Sequence, residues 1–320
     1  MNQISTSNNT TSGKLFPASW RDATGPLAFT LTNDCLFKNI LQKKENQYIL
    51  RALLASLLHL SEEDITSIEI TNPIMPGDNV TDKTFILDIR IILNGSDLIN
   101  LEMQVIDYGN WPERSLGYLC RSFDNLNRGD DYIQTKPATL ISILDFTLFE
   151  DAPEFYSTYR LTNQNNGKIY TDKFTINVLD LTKIELATDE DTDYSLDYWA
   201  KIFKAKTWED LRMIATAYDN KESFTEDLIT TIYDATSDEA IRLQCEARED
   251  FLIHERVTKQ LLQELNDENS KLNSENTKLN SENTKLNSEN TKLNSENTKL
   301  NDENAKLRQQ LIDAGITPNN

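Results

Sequence analysis

The sequence predicts an α/β fold with a mainly helical extension and a C-terminal coiled coil, and three observations support this prediction. Two runs of alternating apolar and polar residues, 85–93 and 98–106, flank a Gly-containing turn, which is typical of a β-hairpin. Apolar residues at helical spacing precede this hairpin, and the same spacing dominates from residue 195 to 256. Near the C-terminus the unit TKLNSEN recurs with leucine at every seventh position, which indicates a coiled coil.

Composition and charge limit the class of protein. The formal net charge is -20, and residues 267–306 carry eight acids and six lysines, or -2, so the remaining -18 lies in the body. An acidic body argues against non-specific coating of nucleic acid or an anionic membrane, although a local basic groove remains compatible with it. We find no signal peptide or membrane-spanning segment, so we expect a cytoplasmic protein without a membrane partner. Three cysteines lack disulfide or metal spacing and are interpreted as buried thiols: Cys35, Cys120 and Cys245.

Changes in composition predict five segments along the chain. They are a disordered N-terminal segment (1–26), an α/β domain (27–190), a helical extension (191–256), heptad repeats (257–312) and a disordered tail (313–320). Within the α/β domain, a helix is expected to begin at Asn33 or Asp34, because either side chain can cap it. The other predicted elements are a buried helix (48–60), a short strand (65–70), the hairpin, a helix (114–127) and strands at 138–146 and 173–181.

The hairpin places acidic residues where its neighbours are apolar, and the length of its turn decides whether they meet. A turn of two or four residues would put Asp88 and Glu102 on opposite faces. A three-residue turn, 94–96, pairs Leu93 with Asp97 and brings Asp88 directly across from Glu102; a one-residue bulge would have the same effect. We therefore predict an odd loop or a bulge. Two carboxylates that converge from adjacent strands can hold a hard divalent cation.

The C-terminal repeats predict a weak, in-register zipper between copies of the chain. Leucine occupies heptad position d, at Leu272, Leu279, Leu286, Leu293, Leu300 and Leu307. Asparagine occupies position a, at Asn269, Asn276, Asn283, Asn290, Asn297 and Asn304. One Asn at position a fixes register and favours a dimer at a cost in stability, so a column of them weakens the pairing. A solvated single helix or a disordered spacer is the competing interpretation, because no a position inside the repeats is apolar.

Several short motifs together resemble one protein family. They are Asn33-Asp34-x-x-Phe37-Lys38, Leu87-Asp88-Ile89, Asn100-Leu101-Glu102-Met103-Gln104, Arg114…Tyr118…Arg121 and Gly129…Tyr132. The chain from about residue 34 to 256 resembles the Rpn family of recombination-promoting nucleases and transposases, within the PD-(D/E)XK nuclease superfamily. The resemblance implies a restriction-endonuclease-like mixed sheet flanked by helices, and metal-dependent cleavage of DNA.

Carried over by position, the resemblance implies a metal site at Asp88 and Glu102. These two carboxylates would bind Mg²⁺ or Mn²⁺ with help from the backbone carbonyl of Met103. The superfamily motif usually ends in lysine, whereas this chain has Gln104, which can orient water or a phosphate oxygen but brings no positive charge. Arg114 and Arg121, seven residues apart on one helix face, either contact DNA phosphates or pair with the excess acids of the body.

Other assignments stay open at the sequence level. Asp34 is a possible further site residue or simply a helix cap, and Lys38 and Lys83 are either site or surface lysines. His59 and His254 have no partner motif, so we expect structural roles for them. The competing interpretation for the whole chain is an interaction protein with a weak or inactive nuclease fold. In that interpretation the coiled coil makes a homo-oligomer or recruits a partner.

Overall fold

The computed structural model describes residues 19–75, 85–127, 129–218 and 224–315. The chain divides into two compact units, Met1–Leu252 and Ile253–Asn320. Lys83 and residues 1–18 lie outside the described residues, as do residues 316–320 of the predicted tail. The first unit contains the candidate site.

A mixed sheet forms the centre of the first unit. The strands are β1 (Ile68–Thr71), β2 (Ile74–Met75), β3 (Phe85–Ile86), β4 (Ile89–Leu93), β5 (Asp97–Gln104), β6 (Ala138–Leu144), β7 (Tyr156–Arg160) and β8 (Phe174–Asp180). Within the described residues six of them form one sheet in the order β1-β4-β5-β6-β8-β7, and β2 pairs with β3 separately. Strands β5, β6 and β8 are parallel neighbours, while β1, β4 and β7 pair antiparallel to theirs. This architecture confirms the predicted restriction-endonuclease-like α/β fold.

Helices cover both faces of this sheet. They are α1 (Asp34–Leu41), α2 (Gln47–Leu58), α3 (Trp111–Phe123), α4 (Asp189–Asp193), α5 (Leu196–Lys204), α6 (Trp208–Tyr218), α7 (Thr225–Ser237) and α8 (Glu239–Asp313). The helix α3 packs on one face through Tyr118 and Leu119, against Leu98 and Leu140. Helices α1, α2 and α5 pack on the other face, in one large apolar cluster. Since both faces are covered, β6 is buried along almost its whole length, as its apolar sequence ATLISIL predicts.

The first arm of the hairpin differs from the single strand that alternation predicts. The chain leaves the main sheet at Leu87 and Asp88: β3 pairs with β2, and only β4 joins β5. The backbone at the break is held from outside the hairpin, because Leu87 donates its N–H to the Pro73 carbonyl and Gln42 donates its side-chain amide to the Asp88 carbonyl. Asp88 therefore sits at the end of β4, where its side chain is accessible from α1.

Residues 19–26 do not match the predicted disordered segment, because they pack against the helices of the first unit. Trp20 is 5% exposed, and its indole N–H donates to the Thr230 hydroxyl at 3.1 Å. Pro26 forms an isolated bridge with Thr207. Trp20 and Ala23 join the same cluster as Trp199 and the sheet, so the helical extension shares one hydrophobic core with the α/β part.

The repeats form the long C-terminal part of α8. Their leucines, from Leu272 to Leu307, are each between 53% and 58% exposed. The repeat threonines donate their hydroxyls to the carbonyl four residues earlier, as Thr284 does to Asn280. The helical heptads agree with the sequence pattern, whereas their pairing into a coiled coil stays a prediction. Among the described residues no helix combines the length and apolar character needed to cross a membrane.

The cysteines only partly match the expected buried thiols. All three are free; Cys245 is buried, Cys35 is half-buried and Cys120 is exposed on α3. The prediction for Cys120 is wrong because α3 has an outward face, and absence of disulfide spacing does not report which face a residue occupies.

Candidate active site

The hairpin turn has the odd length that brings the two acids together. Leu93 pairs with Asp97 across a three-residue loop, and Ile89 pairs with Leu101 at the other end of the ladder. The loop is tight because Asn94 and Gly95 adopt positive φ angles of 51° and 74°. The next residues along the two strands are Asp88 and Glu102, as the parity of the turn predicts.

Asp88 and Glu102 are linked by reciprocal hydrogen bonds to the backbone. The Asp88 backbone N–H donates to Glu102 Oε1 at 3.0 Å, and the Met103 N–H donates to Asp88 Oδ2 at 2.8 Å. Each carboxylate therefore accepts from the backbone of the opposite strand, which fixes both of them at the same end of the hairpin. Glu102 is 2% exposed, and the Asp88 side chain is 14% exposed.

Burial and the nearby charge of Asp88 disfavour the ionised form of Glu102. Burial raises the pKa of Glu102 well above its usual range, and the adjacent negative charge of Asp88 raises it further. The hydrogen bond from the Asp88 N–H and the positive charges of Arg114 and Lys38 lower this pKa, but they do not cancel the rise. Burial and Asp88 therefore disfavour the ionised form of Glu102 more than the neighbouring donor and cations favour it.

Among the described residues, Lys38 on α1 is the cation that pairs with Asp88. Its Nζ lies 2.7 Å from Asp88 Oδ1 and 3.6 Å from Asp34 Oδ2. Burial lowers the pKa of Lys38, but the charge of Asp88 and their hydrogen bond, with Asp34 and Glu102, give a net rise. Asp34 also accepts a hydrogen bond from Arg248 Nε at 2.5 Å, so its carboxylate contacts both Lys38 and Arg248. The N-cap of α1 is Asn33, whose Oδ1 accepts from the backbone of Cys35 and Leu36.

Gln104 and Arg114 form the side of the site next to α3. The Gln104 amide donates to the Ile106 carbonyl at 2.8 Å, and its Oε1 accepts from Arg114 Nη1 at 3.4 Å. Arg114 Nε donates to the Tyr118 hydroxyl at 2.9 Å. The guanidinium also lies over the rings of Trp111 and Tyr118, at 5.4 and 5.3 Å from their centroids.

The structure brings some predicted residues together and leaves others apart. Asp88, Glu102, Met103, Gln104, Arg114, Asp34 and Lys38 form one cluster at the end of β4 and β5. Arg121 is half-buried and lies two turns beyond Arg114 on α3, about 10 Å along the helix axis. The position of Lys83 is outside the described residues, so its assignment stays a prediction.

Two residues at the site were not identified from the sequence. They are Arg248 on α8, which contacts Asp34, and Gln42, which follows α1 and contacts the Asp88 carbonyl. Arg248 is separated from Asp34 by 214 positions, and no local pattern distinguishes it from the other basic residues of its helix. Gln42 follows α1 directly, and no sequence pattern marks it as a site residue.

The oxygen donors at this site fit a hard divalent cation. Within the described part of the chain, no three His, Cys, Asp or Glu side chains are grouped for metal binding, so Asp88 and Glu102 would supply two carboxylates. Mg²⁺ is commonly held by one or two carboxylates, with water and substrate phosphate completing its coordination. Burial and the adjacent charge of Asp88, which together raise the pKa of Glu102, are the observation that favours a cation here.

The architecture and the paired acids define a nuclease-type α/β fold with its candidate site at the ends of two neighbouring strands, β4 and β5, of a mixed sheet. The chain belongs to the PD-(D/E)XK nuclease family transposases, whose sequence model matches residues 31–261. This match confirms the family resemblance drawn from the motifs. No curated protein and no solved structure matches the chain significantly.

Proposed function

We propose that this chain is a Mg²⁺- or Mn²⁺-dependent endonuclease that hydrolyses phosphodiester bonds of DNA. Its role would lie in DNA recombination, transposition or defence against foreign DNA. The observation that carries the proposal is the pairing of Asp88 with the buried Glu102, whose pKa is raised by burial and by the charge of Asp88. Membership of a nuclease family supports the same reaction class.

Each residue of the cluster has a proposed task. The carboxylates of Asp88 and Glu102 and the backbone carbonyl of Met103 would hold the cation. When bound, the cation would lower the pKa of a bound water and stabilise negative charge on the phosphate. Gln104 would orient water or a phosphate oxygen through its amide, and Arg114 and Arg121 would contact the DNA backbone.

The proposed reaction is hydrolysis by a water molecule. The water oxygen forms a bond to phosphorus, and the bond from phosphorus to the leaving sugar oxygen breaks. The water gives up a proton to solvent, and the leaving oxygen takes one, so the products are a phosphate monoester and a free hydroxyl. Arg114 is suited to the phosphate because it keeps its charge and its donors are positioned by Tyr118 and Gln104.

The test of this function is the Asp88→Ala variant, assayed with plasmid DNA and Mg²⁺. We expect cleavage to fall by on the order of a hundredfold or more, because the variant loses a carboxylate that holds the cation. The matched control is Asp97→Ala, which removes the same charge from the turn end of the same hairpin. Asp97 contacts the Ser96 hydroxyl and lies away from the acid pair.

Cleavage by Asp88→Ala at the parental rate would refute the assignment of the metal site. Circular dichroism and thermal melting of both variants distinguish loss of activity from loss of fold. Equal losses in Asp88→Ala and Asp97→Ala would point to a general effect of charge on DNA binding instead.

A second candidate function is an interaction protein built on an inactive nuclease fold. Two sequence features favour it: the body carries a charge of -18, and Gln104 stands where the superfamily motif usually has lysine. In this alternative the heptads would make a homo-oligomer or recruit a partner. Calorimetry with Mn²⁺ separates the two proposals, because only the nuclease requires cation binding that depends on Asp88 and Glu102.

A further inference from the structure

The candidate site needs a positive charge that its own strand does not provide. Gln104 is uncharged, and its amide is engaged by Ile106 and Arg114. Arg114 is in turn held by Tyr118 and by the faces of two aromatic rings. A guanidinium with this many fixed contacts is a stationary charge, so it cannot follow a phosphate over several ångströms.

Lys38 reaches the acid pair from a separate element. The helix α1 is fixed in the core by Phe37 and Ile40, which are 0% and 1% exposed. Lys38 projects from this fixed helix, its side chain is 31% exposed, and its Nζ lies 2.7 Å from Asp88 Oδ1. A lysine has a flexible four-carbon stem and a compact charge with rotatable donors. Its ammonium can therefore change partner while the helix stays in place.

The ammonium of Lys38 lies where charge compensation is needed. It bonds the outer oxygen of Asp88, Oδ1, whereas Oδ2 is taken by the Met103 N–H. It also interacts favourably with Glu102 and Asp34. Asp34 is anchored by Arg248, so it offers the ammonium a second, fixed partner at 3.6 Å.

We infer that Lys38 is the mobile positive charge of the site, which neutralises Asp88 in the metal-free protein and contacts the DNA phosphate once Asp88 binds a cation. This inference rests on the proposed nuclease function. It assigns to a helix residue the charge that Gln104 lacks, with Asp34 and Arg248 as positioning residues. A purely structural ion pair between α1 and the hairpin is the competing interpretation.

The two interpretations predict opposite changes in metal affinity. If Lys38 competes with the cation for Asp88, then Lys38→Met removes a positive charge next to a divalent ion. We expect Mn²⁺ to bind at least about fivefold more tightly, by calorimetry at pH 8. If Lys38 only holds the hairpin in place, the same variant loosens the acid pair and weakens Mn²⁺ binding.

The cleavage assay supplies the second measurement. At saturating Mn²⁺ we expect Lys38→Met to cleave DNA about tenfold more slowly or worse, because the phosphate loses a contact to positive charge. Lys38→Arg keeps the charge and should recover part of the rate and the parental Mn²⁺ affinity. The matched control is Lys43→Met, an exposed lysine just beyond α1, which should change neither quantity.

Three outcomes would overturn the inference. They are unchanged Mn²⁺ affinity in Lys38→Met, weaker Mn²⁺ binding in that variant, or an unchanged cleavage rate at saturating Mn²⁺. Failure of the proposed function itself is distinguishable, because the parent would then either not cleave DNA or cleave it no faster than Asp88→Ala, whatever the behaviour of Lys38. Mn²⁺ titration also applies to a chain that does not cleave DNA, so metal affinity tests the competition separately.

Discussion

Glu102 is a residue whose position costs the fold stability. A carboxylate that is 2% exposed has lost its hydration, and Asp88 adds a like charge beside it. Its one backbone partner, the Asp88 N–H, could be satisfied equally well by a neutral side-chain carbonyl. A buried acid with a raised pKa is therefore better explained by a requirement for negative charge at this point than by packing.

Glu102→Gln should raise the melting temperature, and the gain should grow with pH. The folded-state pKa of Glu102 lies above its unfolded value, so the parent protein loses stability as pH rises from about 4.3 through the folded-state pKa. The glutamine variant has no such proton and keeps the hydrogen bond from the Asp88 N–H. Thermal melts at a series of pH values from acidic to mildly alkaline measure the difference.

Thermal melts of the same two proteins with added Mg²⁺ test whether Glu102 takes part in binding the cation. The parent should gain stability from Mg²⁺, because a ligand that binds only the folded state stabilises it, whereas Glu102→Gln should gain little. Glu113→Gln, an exposed neighbour on α3, should behave as the parent does. A glutamine variant that is less stable than the parent at every pH would contradict the electrostatic explanation.

At the scale of elements, the hairpin shows what the sequence can and cannot predict. The consequence of each turn length was predictable because side chains alternate with period two, so one residue in the loop decides the face of Glu102, and the structure confirms the odd length. The break at Leu87 and Asp88 was not predictable, because the alternation of apolar and polar residues continues through it while the pairing partner changes to β2. The period of alternation is a local property of the sequence, whereas the choice of pairing partner for each strand depends on tertiary contacts.

The contacts of Lys38 and Arg248 show the same limit. The motif resemblance placed Lys38 near the site as a possibility, but its bond to Asp88 depends on how α1 docks against the hairpin. Arg248 reaches Asp34 only because α8 returns to α1 after more than two hundred residues. Charge pairs across docked elements have no sequence period, so only the assembled fold identifies them.

The heptad pattern of the repeat helix predicts that Leu286→Lys weakens self-association. Leu286 occupies a d position, and a lysine there would place an ammonium in the seam between helices. We expect the dissociation constant to rise by about tenfold or more. Sedimentation equilibrium over a range of protein concentrations measures it.

The control for this change is Ser288→Lys, two residues away at heptad position f. That position faces away from the seam in a heptad zipper, so the same added charge should leave the association unchanged. Equal masses for Leu286→Lys, Ser288→Lys and the parent would favour the solvated single helix over the zipper.

At the scale of the whole molecule, the two compact units have different sources of stability. The unit ending at Leu252 has a hydrophobic core that includes Ile241, Cys245 and Leu252 from the first part of α8. The unit beginning at Ile253 is a helix whose leucines are exposed. A folded first unit therefore does not require the repeats.

A chain that ends at Leu262 tests this division. We expect it to melt at the same temperature as the full chain and, under the proposed nuclease function, to cleave DNA as the full chain does, because the core and the acid pair are intact. Its mass in solution should fall to that of a single chain if the repeats hold copies together. An oligomer that survives the deletion would place the association surface in the first unit.

The seven-residue length of the repeat has a consequence for how this helix can vary. Seven residues are close to two turns, so inserting or deleting one TKLNSEN unit changes the helix length by about 10 Å and rotates the remaining C-terminal turns by only about 20°. The leucine stripe consequently stays continuous through such a change. The length of the helix can thus change in uniform steps through the number of repeats alone, while each remaining repeat keeps its sequence and its place in the leucine stripe.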